Sequence, residues 1–101
     1  MLNVQSIPVD FPLARGPDQT IQRLITLPGT VLTAQVALSG FDISFGNGEH
    51  PLLRLRIDCN LVVAAGNVVL FNVSMAWRDN SGNFDDPYGG QVRVLVIADL
   101  A

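Results

Sequence analysis

Few side chains in this chain carry reactive or ligand-holding chemistry, and their neighbours limit what each could do. Cys59 is the only cysteine and His50 the only histidine. A thiol nucleophile needs a base beside it. In the run LLRLRIDCNL, Cys59 shares its parity with Leu53, Leu55 and Ile57, which gives it the character of a buried, inert thiol. His50 stands in a loop of glycine and proline at 46–51 and reads as solvated. No Cys/His cluster has zinc spacing. The stretch DNSGNFDD at 79–86 is rich in oxygen side chains. Its glycine stands fourth instead of sixth and no glutamate closes it, so it departs from a calcium loop and reads as a solvated turn. Asp85 and Asp86 are adjacent on that turn and diverge, unlike the flanking carboxylates of a glycosidase. These readings point to a protein that is not an enzyme and needs no metal or cofactor.

A second group has complementary chemistry. Arg54 and Arg56 alternate on the polar side of one run, Trp77 and Arg78 stand where another run enters a long loop, and Tyr88 ends that loop. Forked guanidinium donors match vicinal hydroxyls, and an aromatic face packs against the C–H side of a sugar ring. The structural alternative concerns Trp77, which shares the parity of Phe71, Val73 and Met75 and points inward unless a bulge turns it at the strand end.

Strands must position these residues, because two-residue alternation dominates from residue 21 onward and no stretch has a sustained 3.6-residue apolar period. The spacing predicts a strand over 21–27 that stops at Pro28-Gly29, then one over 31–38 and a short one over 41–45. A further strand over 52–61 sets Leu53, Leu55, Ile57, Cys59 and Leu61 against Leu52, Arg54, Arg56, Asp58 and Asn60. After a hairpin-like connection at 64–67, residues 68–77 repeat the pattern. The last run, QVRVLVIA at 91–98, is apolar on both faces apart from Arg93. With no helix to cover it, a second sheet covers one face and neighbouring subunits the other. Residues 1–20, with Pro8, Pro12 and Pro17, read as an irregular arm and loop laid over a sandwich of residues 21–101, a single domain overall.

Composition supports a compact, apolar domain. A chain of 101 residues accommodates one core. It is 49% hydrophobic and 15% charged, and that apolar excess in so small a domain suits contacts between subunits. The net charge is −3 and every cation is an arginine, none in a run, so a nucleic-acid partner is excluded. No apolar run approaches the ~20 residues of a membrane helix, and the N-terminus lacks a basic segment followed by an apolar one. The expectation is a protein without membrane insertion, cytoplasmic or released by a non-classical route. The sequon Asn72-Val73-Ser74 bears only on a secretory pathway.

From about residue 21 to 98 the chain resembles the H-type lectins, the family of snail agglutinins and the discoidin C-terminal domain. The stretches that carry this are VLTAQVALSGFDIS, LLRLRIDCN, VLFNVSMAWRDN and VRVLVIA, in that order. The resemblance implies an all-β, six-stranded antiparallel β-sandwich that binds galactose- or N-acetylgalactosamine-type sugars, without a metal, between subunits of a homotrimer or of a hexamer made of trimers. It implies that Gly16 and Asp18 present a carboxylate to sugar hydroxyls. Arg54 matches the family's strand arginine, Trp77 and Arg78 its tryptophan and following polar residue, and Tyr88 its last aromatic. The loop between Trp77 and the last strand is longer than the family's. A function of a different class reuses the same trimeric sandwich as a structural or receptor-binding piece of a phage tail tip or surface layer.

Overall fold

The computed structural model describes residues 1–16, 18–46, 52–79 and 87–101, without the side chains of Leu52, Leu53, Arg78 and Asp79. The fold is all-β. Its strands are β1 (Leu2–Ala14), β2 (Gln19–Thr26), β3 (Val31–Phe45), β4 (Leu52–Ala65), β5 (Val68–Asp79) and β6 (Tyr88–Leu100). They form two three-stranded antiparallel sheets, in the order β1-β6-β3 and β2-β5-β4. Each connection crosses between sheets except the β4–β5 hairpin, which turns at Gly66-Asn67. Gly66 has φ +58°, the left-handed conformation that a two-residue hairpin of Gly-X type requires at its first position.

The central strands face each other and make the core. Val69, Phe71, Val73 and Met75 of β5, and Val92, Val94 and Val96 of β6, are fully buried. This is period-two alternation realised in both sheets, and each such side chain contributes about 1.5–3 kcal/mol by leaving water. Val9, Phe11, Ile43, Tyr88, Ala98 and Leu100 extend the same core.

The expected arm at residues 1–20 is instead mostly strand. β1 pairs with β6 from Leu2↔Asp99 to Phe11↔Gly90, shifts register, and ends at Ala14↔Tyr88. It lies at a sheet edge, where half of the N–H groups have no partner strand, so Pro8 and Pro12 cost little. The segments 31–38 and 41–45 are likewise one strand, β3, with a register shift between Leu38 and Gly40. Ser39 sits in that shift and its hydroxyl donates to the Arg93 carbonyl at 3.2 Å. The last strand is covered on one face only within a single chain. Leu95 is half-buried and Ile97 is 36% exposed on the outward face.

Close backbone approach fixes one end of the molecule. A Cβ on Gly89 would lie 2.7 Å from the Phe11 carbonyl oxygen, and one on Gly90 (φ +146°) 2.0 Å from that of Asp42. Absence of a side chain at both lets β1 and β3 close on the start of β6. The structure is elongated, 50 × 18 × 18 Å, and its halves differ. Exposed Leu2, Val4, Leu24, Leu32, Val63 and Ile97 belong to the half that holds the β4–β5 turn. Asp10, Asp18, Asp42, Arg54, Arg56 and Asp58 belong to the other.

Candidate functional site

The charged half carries a polar platform on the outward face of the β2-β5-β4 sheet. Register sets Thr20, Ser74 and Asp58 side by side, then Ala76 beside Arg56, then Arg78 beside Arg54. Alternation is the cause: with Leu55, Ile57 and Cys59 turned to the core side, Arg54, Arg56 and Asp58 must face out.

Asp18, just before β2, reaches this face. Arg56 Nη2 donates to Asp18 Oδ1 at 3.0 Å, and Arg56 Nε lies 3.4 Å from Asp58 Oδ2. The small Ala76 side chain on the intervening strand lets the first of these bridges span it. All three charged side chains stay substantially exposed, at 57% for Asp18, 45% for Arg56 and 50% for Asp58. Exposed pairs of this kind are worth about 0–1 kcal/mol, so the cluster orients side chains more than it stabilises the fold. Thr20 Oγ1 and Ser74 Oγ sit 3.0 Å apart beside it. In the next row, Gln22, Asn72 and Asn60 align across the sheet, and Asn72 Oδ1 is buried without a partner among the described residues. The platform thus offers carboxylates, guanidinium groups and hydroxyls on one exposed face, which is chemistry suited to a polyhydroxylated ligand.

The connection that carries Asp18 is pinned from beneath. Gln19 Nε2 donates to the carbonyls of Tyr88 at 2.9 Å and Ala14 at 3.3 Å. Tyr88 Oη is 3.3 Å from the Gly16 carbonyl and 3.5 Å from that of Met75, and Gly16 has φ +126°.

The residues expected from sequence divide accordingly. Asp18 and Arg54 share the platform, although the carboxylate of Asp18 pairs with Arg56 and not with Arg54. Gly16 serves by its backbone. Tyr88 is 1% exposed, so its ring offers no face to a sugar and instead braces the Asp18 connection. Trp77 points inward opposite Leu55, and its ring meets Phe45 edge-on at 6.0 Å. Its Nε1 is buried with no partner among the described residues. Stacking of Trp77 on a sugar is therefore corrected to a packing role. The register shifts of the β2-β5-β4 sheet fall on β4, between Leu52 and Arg54 and between Leu61 and Val63, so nothing turns Trp77 outward. Arg78 lies opposite Arg54 in register, while its side chain, His50 and the loop stretch 80–86 are outside the described residues.

Arg56 and Asp58 complete the cluster. Their alternation with Arg54 was visible in the sequence, whereas the reach of Asp18 and the bracing by Gln19 were not. Cys59 faces the core side, and its thiol is pushed up by burial and then by the neighbouring Asp58 charge, which keeps it protonated at neutral pH. Burial also raises Tyr88, with a smaller push from Asp18 against lowering hydrogen bonds. Among the described residues no group of three or more His, Cys, Asp or Glu side chains could hold a metal ion.

No family model, curated protein or solved structure matches the chain.

Proposed function

We propose that this chain is a carbohydrate-binding protein for galactose- or N-acetylgalactosamine-type sugars, working as a homotrimer, or a hexamer made of trimers, with sites between subunits. The observation that carries the reading is the exposed Asp18–Arg56–Asp58 cluster with Arg54 on the same face. Its charge-assisted donors and acceptors suit vicinal hydroxyls. In this reading the apolar wall that a sugar ring needs is supplied by a neighbouring subunit. Exposed Leu2, Val4 and Ile97, with Leu95 beside them, supply a surface for that neighbour. Two three-stranded antiparallel sheets are also compatible with the resemblance to H-type lectins.

The test is a glycan array with inhibition by free galactose, followed by calorimetric titration. Asp18→Ala and Arg54→Ala, each still folded and oligomeric, are expected to lose about 1.5–3 kcal/mol of binding, the range for a hydrogen bond to a charged group. EDTA is expected to leave binding unchanged. Absence of binding to any glycan would favour the second reading, a structural or receptor-binding component of a larger assembly. The apolar half of the rod is the observation that supports that alternative.

A further inference from the structure

We infer that the outward face of the β1-β6-β3 sheet receives a second copy of this chain, and that Arg93 of one copy pairs there with Asp42 of the other. This rests on the oligomer in the reading above, not on the sugar, and names the contact that sets its register. Val92, Val94 and Val96 fill the core side of β6, so alternation turns Gln91, Arg93, Leu95 and Ile97 outward. Pairing then lays the face out in rows. Apolar rows hold Ile97 and Leu95, the next sets Arg93 between Pro8 and Gly40, and the next Gln91 between Asp10 and Asp42.

All side chains of these rows are described. A Cβ on Gly40 would lie 2.5 Å from Arg93 Nη2 and 3.2 Å from its Cζ, so the half-buried guanidinium lies directly over the glycine. Asp10 accepts a hydrogen bond from Gln91 Nε2 at 3.1 Å. The exposed Asp42 carboxylate and the Arg93 guanidinium have no hydrogen-bond or ion-pair partner among the described residues. Opposite charges one row apart, each left unpaired, are the complementary halves of a contact between copies. A copy packed parallel sets apolar rows on apolar rows while Arg93 reaches Asp42 across an offset of about 7 Å. An antiparallel copy centred on Leu95 and Ile97 brings Arg93 to Asp99 instead, whose carboxylate already holds the Met1 ammonium at 3.0 Å. Apolar faces alone can slide, and complementary charges fix their register. Strand addition at the sheet edges is interrupted by Pro8 and Pro12 on β1 and by the register shifts of β3. A face 50 Å long and 18 Å wide is large enough for the ~800 Å² per partner that a stable interface buries.

The experiment measures association by sedimentation equilibrium for the intact protein, Arg93→Asp, Asp42→Arg and the double variant, each checked for folding by circular dichroism. Each single variant is expected to weaken association at least ~10-fold, the lower end for close charge pairs across an interface. The double variant should return to within about threefold of the unmodified protein. An equimolar mixture of the two single variants should associate more tightly than either alone, which an ion pair inside one chain cannot produce. Arg93→Gln carries the same test should Arg93→Asp not fold. Single variants that associate like the unmodified protein would overturn the inference and leave the oligomer to another face. Rescue of Arg93→Asp by Asp99→Arg and not by Asp42→Arg would overturn it in favour of the antiparallel pair. A monomeric unmodified protein would overturn both the inference and the oligomer in the reading above.

Discussion

Replacing Trp77 by phenylalanine separates packing from ligand contact at a residue that the family resemblance assigns to the sugar and the structure packs inward. The indole packs edge-on against Phe45 at 6.0 Å, on the core side of β5, and its Nε1 is buried without a partner among the described residues. Phenylalanine keeps an aromatic pair but removes three ring atoms, two carbons and the nitrogen, from a packed site. At about 0.8 kcal/mol per buried carbon, that loses about 1.5–2.5 kcal/mol. It also removes an N–H whose burial without a partner costs about 1–3 kcal/mol. The two terms oppose each other, so Trp77→Phe is expected to melt within about 1 kcal/mol of the unmodified protein. Trp77→Ala has no such compensation and is expected to lose about 2–4 kcal/mol, somewhat below a fully buried aromatic because the indole is half-buried. Urea unfolding followed by circular dichroism measures both. Sugar affinity of Trp77→Phe should stay within about twofold, and the fluorescence of Trp77, the only tryptophan, should not respond to saturating sugar. A tenfold loss of affinity with unchanged unfolding, or a sugar-dependent emission shift, would show that the ring faces the ligand and that the inward packing argument is wrong.

Other outcomes follow from the same geometry. Tyr88→Phe removes the hydroxyl shared by the Gly16 and Met75 carbonyls and should cost about 1 kcal/mol in urea melts, with a few-fold loss of glycan affinity because the Asp18 connection loosens. Burial raises the Tyr88 phenol above its ordinary value of about 10, so the folded chain holds that proton more tightly than the unfolded chain. Its contribution is complete below about pH 10 and lost as pH climbs through the raised value, so the melting temperature should fall more steeply there than in Tyr88→Phe. Gly90→Ala forces a Cβ to within 2.0 Å of the Asp42 carbonyl oxygen at φ +146°. It should cost more than about 3 kcal/mol, seen as loss of a cooperative thermal transition. Ile97→Asp, on the exposed face of β6, should yield a folded monomer by light scattering and circular dichroism. A parent protein that is itself monomeric at micromolar concentration would remove the oligomer from the proposal.

Strand character was legible in the sequence because side-chain alternation is local: any residue's face follows from its neighbours two positions away. That logic set Leu55, Ile57 and Cys59 against Arg54, Arg56 and Asp58, and turned Trp77 inward with Phe71, Val73 and Met75, as the structure has them. It failed at residues 1–20, where prolines masked a strand that only its edge position in the β1-β6-β3 sheet makes tolerable. It also left Tyr88 among the ligand candidates, because nothing local says that the end of a long loop closes under β1 and β3. Strand order and register decided the rest. They bring Arg56 to Asp18 across 38 positions of sequence and Tyr88 to Gly16 across 72. Such meetings depend on which strands pair and how the sheets stack, which is a property of the whole packed chain. The sequence alone thus determined which side chains face outward, and the tertiary structure decided which of them meet.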